Sequence, residues 1–241
     1  MTFIMGAKCI DGVVLIADRK VTLSDLSDFD YHNKLFDGLG HVIYGSAGSA
    51  GMYRLFVDTV EEYVRTRPVG EVNFRNAVLK LSEIAYDIYR RYNFHREYYF
   101  ELLVAIAPDN ERSHLTYITG DGMPYSVDTC HTIGSGSPYA TIFQRNSYNR
   151  NMTMEQAAEL GYFVIKYIED FQLNMTVGVG DGIPQIWFVS NEERHPDNVK
   201  KDYELTPDNP ETQQRFNRVR DNVNRRLEEH RNHLNQLFRP R

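Results

Sequence analysis

The sequence predicts an α+β fold of four layers, two β-sheets packed face to face with a pair of helices outside each, followed by a C-terminal helical extension. Three observations carry this. β-rich runs separated by turn signals fill the chain up to Gly45. The run VVLIA (13–17) is apolar at consecutive positions, as a strand covered on both faces requires. Finally, two helical pairs alternate with the strands, and helices on both sides of stacked sheets give four layers.

In chain order, FIMGAKCI and VVLIA flank the pair Asp11-Gly12, a hairpin signature because Gly supplies the positive φ of a tight turn. KLF and HVIYG are the next strands. Met52, Leu55, Phe56, Val60 and Tyr63 recur at steps that mark a helix over 49–63. Ala77, Val78, Leu81, Ile84, Ala85 and Ile88 mark a second over 74–92. Strands return at YYFELLVAIAP and HLTYITGDGMPYSV, the latter turning at Asp121-Gly122, and TCHTI runs into GSGSP. A third helix spans 138–148, and a fourth begins at Thr153, where TMEQ has capping-box spacing. TVGVGDGIPQIWFV reads as a closing hairpin. The domain is thus expected over 1–191 and the extension over 192–241. The extension is polar and proline-bearing to Pro210, then becomes a basic amphipathic helix through Val219, Val223, Leu227, Leu234 and Phe238, expected to dock on its own domain or on a neighbouring subunit.

With 241 residues the chain can bury a substantial single core. A net charge of −6 argues against general nucleic-acid binding, despite the basic residues gathered after Arg215. No apolar run approaches the roughly 20 residues needed to span a bilayer, and Asp11, Asp18 and Arg19 interrupt anything resembling a secretory signal. A cytoplasmic protein with no membrane partner is expected. Cys9 and Cys130 have no metal-ligand spacing and read as small buried hydrophobes, so neither a metal nor a cofactor is expected.

Thr2 follows the initiator Met in MTFIMGAKCI and is small enough for that Met to be removed. A terminal Thr carries a hydroxyl and a free amine on adjacent carbons, a nucleophile with its own base. Alone, the pattern is common. Asp18, Arg19 and Lys20 at the end of VVLIA, and Lys34 before Leu35-Phe36, would each be surface charges if taken singly.

Together these stretches resemble the β-type subunits of proteasomes, in the N-terminal nucleophile hydrolase superfamily. The resemblance runs from Thr2 to about Val189 and rests on TFIMGAKCIDGVVLIADRKVT, NKLF, HVIYGSAG, TIGSGSP and the acidic Asp170. It implies an αββα sandwich and a threonine-type endopeptidase or amidase that works through an acyl-enzyme. Thr2 would be the nucleophile, Lys34 would sit beside its hydroxyl, Asp18 would pair with Lys34, and the Gly45 amide would face the oxyanion. Ser135 and Asp170 would orient the terminal amine. Val21, His32, Phe36, Ile43 and Ala47 would line the pocket for the substrate residue before the scissile bond. The implied partners are a peptide or unfolded-protein substrate, further copies in a ring or helical homo-oligomer, and an ATPase or other activator.

The chain departs from the family at Leu173, where a serine usually follows the acidic position by three residues. Its C-terminal extension is also absent from ordinary β subunits. Three alternatives stay open: transpeptidation or ligation through the same acyl-enzyme, a non-catalytic subunit like the α-type relatives, and an amidase for non-peptide substrates.

Overall fold

The computed structural model describes residues 2–22, 29–38, 42–66, 74–92, 100–107, 112–173, 177–179, 182–191, 205 and 210–237. Eleven strands and five helices are present among them. β1 (Ile4–Lys8) and β2 (Gly12–Ala17) form the expected hairpin, in register from Ile4↔Ala17 to Lys8↔Val13. β10 (Cys130–Ile133) and β11 (Gln185–Ser190) flank this hairpin, giving an antiparallel sheet of order β10-β1-β2-β11. The second sheet is an antiparallel meander of β5 (Leu35–Gly38), β6 (Val42–Gly48), β7 (Phe100–Ile106), β8 (His114–Ile118) and β9 (Pro124–Ser126). β3 (Lys20–Thr22) and β4 (Phe29–Tyr31) make a small separate ribbon that the sequence pattern does not announce.

Period-two alternation distributes the side chains of β2 between two cores, because successive residues face opposite sides of a strand. Val13, Leu15 and Ala17 enter the core between the sheets, with Ile4, Leu35, Ile43, Leu103 and Ala105. Val14 and Ile16 enter the core under the helices, with Met5, Ala157 and Ile165. Both faces of the VVLIA strand are therefore buried, as its unbroken apolar run requires.

The helices close the outer faces. α1 (Ala50–Arg65) and α2 (Phe74–Tyr92) cover the second sheet through Met52, Phe56, Val60, Leu81 and Ile88. α3 (Ser137–Ser147) and α4 (Met154–Asp170) cover the first. α4 starts where TMEQ predicts: the Gln156 amide donates to the Thr153 hydroxyl at 3.3 Å, and the Thr153 amide donates to the Gln156 side-chain oxygen at 3.0 Å. The closing hairpin takes another form. Residues 177–179 are not a strand, and β11 pairs instead with β2, from Gln185↔Ala17 to Ser190↔Gly12.

α5 (Pro210–Leu237) docks on the domain's own α4. Phe216, Val219, Val223 and Leu227 fall at three- and four-residue steps and are buried in the same core as α4. The basic face meets an acidic row on α4: Arg215 and Arg218 pair with Glu155 at 2.6 and 3.4 Å, Arg226 with Glu159 at 3.3 Å, and Arg231 with Asp170. The four apolar side chains are worth roughly 1.5–3 kcal/mol each when fully buried. Each partly exposed ion pair is worth about 0–1 kcal/mol, so burial holds the helix and charge sets its register. Phe238 of the expected stripe lies outside the described residues, as does most of the stretch before Pro210.

Two outcomes are expected from this packing. Phe216→Ala should lower unfolding stability by about 3–5 kcal/mol in urea melts, whereas Arg218→Ala should change it by less than about 1 kcal/mol; similar losses would contradict the docking. Both cysteines are free, and burial pushes each thiol up to about 12. Cys9 is buried, whereas Cys130 is only half-buried, unlike the sequence expectation; a thiol reagent at pH 8 should leave Cys9 unmodified until denaturant is added, and prompt labelling of Cys9 in the native chain would contradict its burial.

Candidate functional site

The site lies where strands of both sheets end around the start of β1. Thr2 precedes β1 and is only 6% exposed. Asp18 follows β2 directly, since the β1/β2 register continues with the Asp18 amide donating to the Phe3 carbonyl at 3.0 Å. Lys34 immediately precedes β5 in the other sheet. Sheet packing therefore joins residues that the chain keeps far apart.

Asp18 is fully buried and Lys34 is 4% exposed, and their side chains meet at 2.7 Å. The same Asp18 oxygen accepts the Phe3 amide at 2.7 Å, and its second oxygen accepts the Gly178 amide at 3.3 Å. The carboxylate thus ties Lys34 to the peptide that follows Thr2. The Lys34 ammonium also donates to the Lys20 carbonyl at 2.6 Å, so two of its three protons have partners among the described residues. Burial raises the Asp18 carboxyl and lowers the Lys34 ammonium from their ordinary values, and the contact between them opposes both shifts.

Gln185 anchors the pair from behind, and sequence reasoning missed it. It is 1% exposed on β11, yet its side-chain oxygen accepts the Lys34 amide at 2.5 Å and the Leu35 amide at 3.1 Å across the sheet interface. Its amide group donates back to the Leu35 carbonyl at 3.4 Å. A lone polar residue in the buried run QIWFV was the available signal, because a buried amide needs partners.

The TIGSGS turn closes over Thr2. The Gly136 amide donates to the Thr2 carbonyl at 3.3 Å. Gly134 has φ +89°, and a Cβ there would lie 2.1 Å from the Thr2 carbonyl oxygen, so only glycine fits. Ser135 sits between these two contacts, within the turn.

Three expected site residues are placed elsewhere. Gly45 is in the middle of β6, opposite Leu35, where a Cβ would meet Leu35 at 2.7 Å and Ile4 at 3.0 Å. The Ser46 amide donates to the Lys34 carbonyl, so alternation turns the Gly45 N–H away, toward Leu103 on β7. Gly48, two residues past Ser46 on the same side, ends the strand exposed at φ +126° and lies beyond the start of β5. Ile43 is 1% exposed in the core between the sheets. Asp170 faces the tail helix, where it pairs with Arg231, and it also lies 3.8 Å from Lys166 on its own helix. Its neighbour Glu169 takes the inward direction and accepts the Val179 amide at 3.0 Å, next to the Gly178 that holds Asp18. Leu173 follows the end of α4, partly exposed.

The remaining pocket residues divide. Phe36 packs on Tyr44 and Tyr53, with ring centroids 5.9 and 5.2 Å apart, toward α1. Beside it Ser46 buries a hydroxyl that has no hydrogen-bond partner among the described residues. His32 is exposed, with its backbone bonded to Arg19. Val21 belongs to β3, paired with Asp30. Ala47 is buried beside Gly134 and forms part of the wall around Thr2. No group of His, Cys, Asp and Glu among the described residues could hold a metal, and no helix there is long and apolar enough to cross a membrane.

Residues 2–176 match the family described as proteasome subunit. A proteasome subunit alpha from Methanococcus vannielii is 30% identical over 170 residues, covering 68% of this chain and 63% of the relative. The chain therefore spans just under two thirds of the length of that relative. A proteasome subunit beta from Methanosphaera stadtmanae is 26% identical, covering 66% of this chain and 74% of its own. Among solved structures, Anbu (ancestral beta-subunit) from Yersinia bercovieri superposes with a TM-score of 0.71 at 15% identity, over 94% of this chain and 95% of that one. The two facing sheets, the helices outside them and this match over most of the length agree: the chain belongs to the proteasome subunit family and has its N-terminal nucleophile hydrolase fold.

Proposed function

We propose that this chain is a threonine-nucleophile peptidase or amidase of the cytoplasm, active in a homo-oligomer and aided by an ATPase or other activator. The observation that carries this reading is the buried Asp18–Lys34 pair bonded to the peptide that follows Thr2. Burying two charges costs several kcal/mol per ion before their attraction repays it, and a cation that stabilises charge developing on the Thr2 hydroxyl is a reason to bear that cost here.

Removal of Met1 frees the Thr2 amine. With a reference pKa of about 7.7–8.0, that amine is partly neutral near pH 7 and takes the hydroxyl proton, directly or through water. The third ammonium proton of Lys34 stabilises the negative charge developing on Oγ, and Asp18 holds Lys34 in place. Oγ attacks the substrate carbonyl. The Gly48 amide, in place of Gly45, faces the oxyanion, a contact worth roughly 3 kcal/mol in the transition state. Collapse expels the amine, which leaves with the proton held by the Thr2 amine, and leaves an ester on Thr2. Water then releases the acid, while an amine acceptor makes the same intermediate a transpeptidation or ligation. Ser135 orients the Thr2 amine, and Val21, His32, Phe36 and Ala47 contribute to the pocket for the side chain before the scissile bond.

The likeness to a subunit named alpha favours a second reading, a non-catalytic subunit of the assembly. The two separate in one experiment. Intact-mass analysis should show loss of Met1, and a β-lactone or epoxyketone probe should add one label that Thr2→Ala abolishes. Thr2→Ala leaves the ion pair in place, so its unfolding midpoint should stay at the wild-type value. Retained Met1 or an unlabelled wild type would support the scaffold.

The rate should also depend on pH in a stated way. A lysine is charged below its pKa, and burial lowers that of Lys34, so it loses its charge at lower pH than a free lysine. The rate of probe addition should rise as the Thr2 amine deprotonates and fall again on the alkaline side, below the ordinary lysine value of 10.5. A rate that stays flat past that value would refute the role of Lys34.

A further inference from the structure

The inner row of β7 is apolar except at the end nearest the site. Leu103 and Ala105 fill the core between the sheets, and alternation directs Glu101, two residues earlier, to the same side. Glu101 stands opposite Ala47 in the β6/β7 register, in the wall around Thr2. A carboxylate there is costly unless its oxygens are hydrogen-bonded. Both are: one accepts the Gly134 amide at 3.3 Å, and the other accepts the Tyr117 hydroxyl at 2.8 Å. His131 lies against Tyr117, with ring centroids 4.5 Å apart.

We propose that Glu101 is a positioning residue for Thr2, acting through the backbone of Gly134. Gly134 holds the left-handed conformation that wraps the Thr2 carbonyl, and it has no side chain of its own with which to anchor that shape. The Glu101 carboxylate fixes the Gly134 N–H, and the Gly136 amide then meets the Thr2 carbonyl from the same turn. Asp18 fixes the next peptide from the opposite side through the Phe3 amide. Thr2 is thus clamped on one side by Glu101 through a glycine and on the other by Asp18 through the Phe3 amide. The role rests on hydrogen bonds and not on charge, since the amide of a glutamine can reproduce both contacts. Its oxygen accepts from Gly134, and its NH2 donates to Tyr117, whose hydroxyl can turn to accept.

This role builds on the reading of Thr2 as nucleophile, and two readouts keep the claims separate. In Glu101→Ala, backbone hydrogen exchange at 134–136 should rise, and the rate of β-lactone addition to Thr2 should fall by roughly 10²-fold, the scale of a small misplacement of reacting groups. Glu101→Gln should restore wild-type exchange and recover most of the rate. The proposal is overturned if Glu101→Ala exchanges and reacts as wild type does, or if Glu101→Gln is as slow as Glu101→Ala, which would make the charge essential. If the wild type takes no label at all, the nucleophile reading fails, and the exchange comparison still decides whether Glu101 holds the turn.

Discussion

The contact between Asp18 and Lys34 joins the two sheets at the site, and the surroundings of Thr2 depend on it. Asp18 ends a strand of the first sheet and Lys34 opens a strand of the second, so their 2.7 Å contact requires the sheets to be in register at this end. Deleting one partner of such a pair leaves a buried charge and costs about 3–5 kcal/mol, a large share of the 5–15 kcal/mol that a domain usually has. The pair is supported accordingly. Gln185 fixes the Lys34 backbone, the Phe3 and Gly178 amides bind Asp18, and Glu169 secures Val179 beside Gly178.

The layered packing supplies the rigidity that this arrangement needs. Both faces of the first sheet are buried, so its strands cannot slip by one residue without exposing an apolar row. α5 adds a further cover over α4 and draws Asp170 toward Arg231. That explains how leucine fits at position 173: the acidic position that a serine would accompany in the resembled family is here turned to the tail helix. Glu169 has taken the inward direction.

The layers were legible because burial on two faces leaves an unbroken apolar run, and amphipathic helices leave a 3.6-residue period. VVLIA and TMEQ gave a strand and a helix start on local chemistry alone. Thr2, Asp18 and Lys34 were legible as a set only through the resemblance to proteasome β-type subunits, because each charge taken singly reads as a surface residue at a strand end. The glycine at the open edge of the strand was harder to read. HVIYGSAG contains two glycines, and only the pairing of β5 with β6 decides that Gly48, not Gly45, points past the edge of the neighbouring strand. Gln185 and Glu101 were missed because their partners are backbone amides distant in sequence, which no local pattern records. The closing hairpin failed for a related reason: β11 pairs with β2, and the stretch before it is held instead by Asp18, Arg19, Lys20 and Glu169.

A crystal structure of the chain after reaction with a β-lactone tests this site most directly. The expected result is an ester on Thr2 Oγ, a free Thr2 amine with Met1 gone, Lys34 Nζ within hydrogen-bonding distance of that oxygen, and the acyl carbonyl facing the Gly48 amide. An adduct on any other residue, or an intact Met1–Thr2 peptide above an unmodified hydroxyl, would contradict it.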